Sequence, residues 1–339
     1  MTAATNLQVV LARRPVGVPV VEDFGLRESA IPEAGAGEAV VRTAFVSVDP
    51  YMRGRLWEQP HRGDPVAIGQ VMIGEGVGEV VASGDPAMAV GETVRGYFGW
   101  QQYATAATGE LERIDRSAAP LSTALGVLGM PGLTAYYGLL EVGQPRAGET
   151  VVVTGAAGAV GSAVGQIARI KGCRVVGICG TEAKCRHLVD DLGFDAAVNY
   201  RTDSLDDDLA AACPDGIDVI FENVGGEILE AMLRQINLHA RIALCGAIAQ
   251  YHTAEPPLVP PHSRTLHRRR ARMQGFLVND FAEQDEEAMA ALTEWVTSGQ
   301  IVYRESIVDG LENAAAAFVG LFSGANTGKQ LVRVRAESD

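Results

Sequence analysis

Basic charge is what this chain lacks first. Its 339 residues hold 28 Lys and Arg against 42 Asp and Glu, a formal net charge of −14. That deficit argues against a general nucleic-acid or anionic-membrane surface, because phosphate groups demand a net basic face. Cysteine is scarce as well. The five (Cys173, Cys179, Cys185, Cys213 and Cys245) are odd in number, lie in the second half and form no C-x-x-C pair. A disulfide scaffold is not expected, and a reducing cytoplasm is. Each cysteine reads as a small buried apolar residue. An uninterrupted apolar span is missing too. Residues 117–140 and 150–168 carry no charge, but Pro120, Gly126, Gly129, Pro131 and Gly132 punctuate the first and Gly155, Gly158, Gly161 and Gly165 the second. Both read as buried segments of a folded domain, and not as membrane helices. After Arg13 and Arg14 come Pro15, Gly17 and Pro19 in place of an apolar core, so no signal peptide is expected.

Glycine is what the chain has in surplus. There are 39, with neither a collagen period nor linker clustering, so they serve folded backbone. Apolar types make up 47% and charged types 21%, a globular composition. The length suits about two domains at roughly 150 residues each. The two halves differ in rhythm. Residues 7–115 carry short β-type runs, such as 7–11, 38–48, 76–82 and 92–97, separated by turn glycines. They predict an irregular all-β domain. From about 149 the β-branched run 150–154 and the strand-like runs 174–178, 196–200, 217–221, 241–245 and 274–278 alternate with helical patterns, one of them over 182–192. Such alternation predicts an α/β fold with a doubly wound parallel sheet. Residues 258–272, with Pro260, Pro261 and Arg268-Arg269-Arg270, are the most linker-like. The basic cluster reads as a solvated face, or as a contact for an anionic substrate tail.

The strongest chemical signal is the turn Thr154-Gly155-Ala156-Ala157-Gly158-Ala159-Val160-Gly161. Against G-x-G-x-x-G, Ala156 takes the first glycine position, while Gly158 and Gly161 keep the others. Gly158 lets backbone approach a pyrophosphate, and Gly161 lets the helix press on the strand. The helix start adds unpaired N–H groups and a positive dipole. The turn follows a β-branched strand and opens a helix, the context that makes it a dinucleotide site. The second strand then ends Val176-Gly177-Ile178-Cys179-Gly180-Thr181, without the acid that binds the ribose diol of NAD. Gly180, Thr181 and Lys184 suit the 2′-phosphate of NADP instead. The missing acid also counts against S-adenosylmethionine.

Several segments together carry a family likeness. They are Ser47-Val-Asp-Pro-Tyr-Met-Arg-Gly54, Leu128-Gly-Met-Pro-Gly-Leu-Thr-Ala-Tyr136, Ala156-Ala-Gly-Ala-Val-Gly161, Phe221-Glu-Asn-Val-Gly-Gly226, Cys245-Gly-Ala-Ile-Ala-Gln-Tyr251 and Asn326-Thr-Gly-Lys329. On them the chain resembles the medium-chain dehydrogenase/reductase superfamily, and within it the zinc-free branch of NADPH-dependent alkenal, prostaglandin and curcumin reductases. The resemblance implies a GroES-like irregular β domain over 1–125, completed by 306–339, and a Rossmann domain over 126–305. It also implies an active cleft between them and a homodimer. Zinc-dependent relatives place a cysteine within the stretch here occupied by 46–49, and a Gly-His-Glu motif where this chain reads Ile73-Gly74-Glu75-Gly76. No cysteine precedes 173, and His61, His187, His239, His252, His262 and His267 form no ligand set. No metal is therefore expected.

The same resemblance implies the NADPH contacts. Gly158, Ala159, Val160 and Gly161 hold the pyrophosphate. Gly180, Thr181, Lys184 and Tyr200 address the adenosine 2′-phosphate. Asn223, Cys245, Gly246, Ala247, Ile248 and Tyr251 lie along the nicotinamide ribose. Phe276, Leu277 and Val278 meet the carboxamide through backbone, or form a plain core strand. Asn326 reaches in from the terminal segment, and Met130 and Thr134 line the cofactor. Tyr51 and Tyr251 are the catalytic candidates. Each is placed to stabilise the enolate oxygen that forms when hydride reaches the β-carbon of an enone, Tyr251 through the ribose hydroxyl or directly. Tyr51 is also a candidate for protonating the α-carbon. Arg53 binds substrate or caps a surface. The expected activity is reduction of the C=C bond of an α,β-unsaturated ketone or aldehyde. A quinone reductase, an enoyl-thioester reductase using 264–272 and a non-catalytic NADPH-binding protein stand as alternatives.

Overall fold

The computed structural model describes residues 5–58, 60, 63–252 and 262–334, and the chain gathers into two compact units. The first takes the chain up to Leu125, then Glu305–Asn326 and the stretch from Gln330 onward. The second takes Gly126–Arg304 and Thr327–Lys329.

In the first unit the early β-type runs become β1 (Thr5–Leu11), β2 (Phe24–Ala30), β3 (Glu38–Ser47), β4 (Gly76–Ser83), β5 (Thr93–Gly96), β6 (Tyr103–Ala107) and β7 (Glu112–Arg113). β1 and β2 pair antiparallel as a separate ribbon. β3 is central, antiparallel to both β4 and β6, and β5 and β7 extend the β4 side. The β3–β4 register shifts at Val40/Val41 and again at Thr43/Phe45. Such bulges increase twist and curl a sheet around its contents. Those contents include Val9, Leu11, Phe24, Met52, Leu56 and Trp100, all buried.

The second unit opens with α1 (Met130–Tyr137) and β8 (Thr150–Thr154). It continues through α2 (Ala159–Ile170), β9 (Arg174–Cys179), α3 (Glu182–Arg186), β10 (Ala196–Asn199), α4 (Leu205–Ala212), β11 (Ile217–Glu222) and α5 (Gly226–Arg234). β12 (Ile236–Leu244), α6 (Ser263–Arg269), β13 (Arg272–Gly275) and α7 (Asp285–Thr297) complete it. The sheet order is β10-β9-β8-β11-β12-β13, with every pairing parallel. This is the doubly wound order in which the chain reverses direction between the first and fourth strands, beside β8. β8 shows why its residues are β-branched throughout. Val151 and Val153 enter one core with Val164 and Ile167, while Val152 enters the opposite core with Ile220, Ile242 and Met232. A strand buried on both faces needs apolar residues at every position.

The chain then returns to the first unit through β14 (Glu305–Asp309), α8 (Ala314–Ser323) and β15 (Lys329–Arg333). β15 pairs antiparallel with β3, setting Leu331 opposite Ser47. Phe318 of α8 packs its ring 5.8 Å from that of Trp100. No described helix is long and apolar enough to cross a membrane.

Four local expectations are corrected. The helix read over 182–192 is α3 for only five residues and then widens into a π turn over His187–Asp191. The strand read at 274–278 lies at Arg272–Gly275, so Phe276, Leu277 and Val278 fall beyond it. β12 begins at Ile236, well before the run at 241, because a bulge near His239 (φ 63°) joins two pairing segments. The linker-like stretch contains α6, and its residues 253–261 lie outside the described residues.

Candidate functional site

The glycine turn is built as the fingerprint requires, with one substitution resolved. Gly155 carries the left-handed backbone (φ 58°), so Ala156, in the first glycine position, needs no special conformation and is fully buried. Gly158 is the N-cap of α2 with no side-chain cap, so the first helical N–H groups keep their hydrogen-bonding capacity. A Cβ on Gly161 would fall 2.5 Å from the Gly155 carbonyl oxygen and 2.8 Å from the Ala156 Cα. Only glycine lets α2 sit this close to the turn. Ala159 and Val160 follow as the first helical residues. Gly328 donates to the Ala157 carbonyl at 2.7 Å and bridges to Gly158, two residues after Asn326. The uncapped helix start and the glycine cradle fit a dinucleotide pyrophosphate.

The tip of β9 forms a second cluster. Thr181 caps α3, its Oγ1 accepting from the Lys184 backbone N–H at 3.3 Å. The Tyr200 hydroxyl approaches within 3.0 Å of where a Gly180 Cβ would lie. Lys184 is half-buried, and burial, with help from the Arg201 charge, pushes its ammonium below the ordinary lysine value. Arg201 also lies 5.7 Å from the Tyr200 ring centroid. Two cations thus converge beside Gly180, Thr181 and Tyr200. Sequence reasoning missed Arg201, although its place directly after Tyr200 was the available signal. Glu182 is engaged by Asn199, whose Nδ2 donates at 2.7 Å.

The third cluster turns on a residue that sequence reasoning also missed. Glu222 is 1% exposed, and its Oε1 accepts from the Thr154 hydroxyl at 2.8 Å and from the Val224 and Gly225 N–H groups. Asn223 closes the network, its N–H donating to Thr154 Oγ1 and its Nδ2 to the Thr154 carbonyl, both at 2.7 Å. The Glu222 carbonyl accepts from Cys245 and Gly246, and the Asn223 carbonyl from Ile248. The Glu222 side chain thus ties the end of β8 to the turn after β11, and its backbone carbonyl holds the residues that follow β12. Its burial raises its pKa against those hydrogen bonds. The signal was an acid closing the apolar run Ile217-Asp-Val-Ile-Phe-Glu222. In the loop that follows, the Tyr251 hydroxyl accepts from the Ala247 N–H at 3.3 Å and lies 2.9 Å from a Gly246 Cβ position.

Other candidates are placed with their bonds partly taken. Thr134 donates to the Met130 carbonyl at 2.7 Å, one turn back along α1. Phe276 is core, with its ring 6.1 Å from that of Phe221. The Leu277 N–H donates to Asp280 at 2.9 Å, and Val278 begins a short turn. In the first unit, Tyr51 sits on the turn Pro50–Leu56, and its hydroxyl lies 3.3 Å from that of Tyr97. Burial, with Asp49 and Tyr97 adding, holds its pKa well above the ordinary tyrosine value, so the hydroxyl is neutral. Arg53 is fully buried. It donates to the Gly17 carbonyl at 2.9 Å and stacks 4.0 Å from the Trp57 ring centroid. It pins the loop around Pro15 and Gly17, and is neither a surface cap nor exposed to a substrate.

The family described as the N-terminal domain of oxidoreductase matches residues 7–114, and the family described as zinc-binding dehydrogenase matches 159–295. A putative NADP-dependent oxidoreductase of Bacillus subtilis (strain 168) is 47% identical over 334 residues, covering 98% of each chain. The NADPH-dependent curcumin reductase of Escherichia coli (strain K12) is 44% identical over 337 residues, again covering 98% of each. The crystal structure of CurA from Vibrio vulnificus in complex with NADPH is 45% identical with a TM-score of 0.94, covering 98% of this chain and 100% of that one. The zinc of the second family's description does not fit these residues. Among the described residues no three His, Cys, Asp or Glu side chains gather as a metal site. At Gly74 even a Cβ would lie 3.1 Å from Met52 and Trp100 side-chain atoms. The chain belongs to the medium-chain dehydrogenase/reductase superfamily, in the branch whose named members include curcumin, alkenal and prostaglandin reductases.

Proposed function

We propose that this protein is an NADPH-dependent enzyme that reduces the C=C bond of α,β-unsaturated ketones or aldehydes by hydride transfer to the β-carbon. The observation that carries the choice of NADPH is the acid-free tip of β9, where Lys184 and Arg201 converge beside Gly180 and Tyr200. An NAD site would place a carboxylate there. The relatives named for NADPH, curcumin and alkenals support the same cofactor and bond type.

NADPH, when bound, supplies the hydride. The N–H groups at the start of α2 bind its pyrophosphate, with Gly158 and Gly161 leaving room for the approach. Lys184, Tyr200 and Arg201 bind the 2′-phosphate. Asn223 and the loop from Cys245 to Tyr251 position the nicotinamide ribose, held by Glu222 beneath them. Leu277 needs its N–H released from Asp280 before it meets the carboxamide. Tyr51 is the donor to the substrate's carbonyl oxygen, where negative charge develops. Its raised pKa keeps its proton in place for hydrogen bonding. Tyr251 keeps its own O–H proton available, because its oxygen accepts from Ala247. A homodimer in the cytoplasm belongs to the same proposal, the location resting on five free thiols.

The test is consumption of NADPH and of NADH over a panel of an enone, an enal, a quinone and an enoyl thioester. The proposal expects turnover with NADPH and the first two. Turnover confined to the quinone or the thioester, or NADPH binding without turnover, contradicts it.

A further inference from the structure

Cys179 closes β9 and Cys185 lies in α3, and their Sγ atoms are 3.3 Å apart. It is the one thiol–thiol contact among the described residues. Both are buried, at 4% and 8% exposure. The residues they bracket include Gly180, Thr181 and Lys184, three of the five groups assigned above to the 2′-phosphate. The proposed reaction uses neither thiol.

We propose that Cys179 and Cys185 are a thiol–disulfide modification site, closed by hydroperoxides, whose disulfide form weakens NADPH binding. In the first step one thiolate attacks a peroxide oxygen, becoming a sulfenic acid and releasing an alcohol, or water from hydrogen peroxide. The second thiol then attacks the sulfenic sulfur and expels water. Two thiols and one hydroperoxide give one disulfide, one alcohol and one water.

Closure must bring the sulfurs from 3.3 Å to about 2.0 Å and impose a torsion near 90°. β9 is held by parallel pairing on both sides, to β8 and β10. α3 has only five residues, and its start is tied to Thr181 through the Lys184 and Cys185 N–H groups. The strain therefore falls on α3. Lys184 precedes Cys185 directly and moves with it, while the Thr181 cap sits within the closing loop.

Burial sets the pace. It pushes the Cys179 thiol up to about 12 and raises Cys185 as well, so thiolate is scarce while α3 is in place. Oxidation proceeds when this short element opens locally. A cofactor held by Gly180–Lys184 keeps it closed. By reciprocity NADPH disfavours the disulfide at equilibrium by the same factor by which the disulfide weakens NADPH binding.

The effect on NADPH rests on the 2′-phosphate assignment; the disulfide itself does not. The full chain is treated with hydrogen peroxide, its remaining thiols are blocked, and its peptides are mapped by mass. NADPH affinity of the reduced and oxidised protein is then measured by fluorescence titration. The expected result is a 179–185 disulfide leaving three of the five thiols free. The NADPH Kd should rise at least about tenfold, recover with dithiothreitol, and the disulfide should form more slowly with NADPH present. Cys185→Ala and Cys185→Ser should both keep their NADPH affinity after peroxide. Reduced thiols at both positions, or a mapped disulfide with unchanged NADPH affinity, overturns the proposal. A Lys184→Ala protein whose preference for NADPH over NADH is unchanged would instead remove the 2′-phosphate assignment, leaving the mapped disulfide standing.

Discussion

Single side chains carry the proposed chemistry. Tyr51 is half-buried and its hydroxyl is neutral. Replacing it by Phe removes one donor from a developing oxyanion, which costs about 10²-fold in turnover. NADPH affinity should stay unchanged, and equal turnover would take Tyr51 out of the reaction. Lys184→Ala should raise the Kd for NADPH by about 10- to 100-fold, the range of one charge-assisted contact. It should leave NADH nearly unaffected, and titration with both nucleotides reads the difference. Glu222 adds a pH signature. Its folded pKa is raised, so with rising pH the unfolded chain loses this proton first. Stability then falls from the ordinary glutamate range upward until Glu222 itself ionises. Glu222→Gln should flatten that decline in melting temperature between acid and neutral pH. Arg201 and Glu222 escaped the sequence reading for one reason. A lone charged residue at a strand end looks solvated until the fold shows what it faces.

At the scale of elements, β8, the turn and α2 were legible because they need rare residues in a fixed order. Gly161 shows the constraint most directly. Gly161→Ala sets a Cβ 2.5 Å from the Gly155 carbonyl oxygen. It should cost about 1–3 kcal/mol of stability by overpacking and weaken NADPH, since α2 must lift from the turn proposed to hold the pyrophosphate. Thermal unfolding and NADPH titration check both effects. Unfavourable local details were not legible. The pattern over 182–192 reads as one helix because apolar spacing hardly distinguishes an α turn from the π turn at His187–Asp191. The run at 274–278 reads as a strand because Phe276, Leu277 and Val278 have strand-like side chains. Phe276 instead serves the core after β13 has ended. The bulge at His239 hid the start of β12 for the same reason, since pairing and not composition decides where that strand begins.

At the scale of the whole molecule, two units of different architecture are written into one chain, and the terminal segment returns to the first. The change from turn-punctuated runs to βα alternation made both architectures visible in the sequence. What composition could not supply was the bond the enzyme attacks, since the same cofactor cradle serves carbonyl and alkene reduction alike. Deuterium labelling distinguishes the two bonds. An enone is reduced with NADPH carrying deuterium at the transferred position, and the product is identified by NMR. The expected product is a saturated ketone with its carbonyl intact and deuterium on the β-carbon. An allylic alcohol with deuterium on the former carbonyl carbon would contradict it.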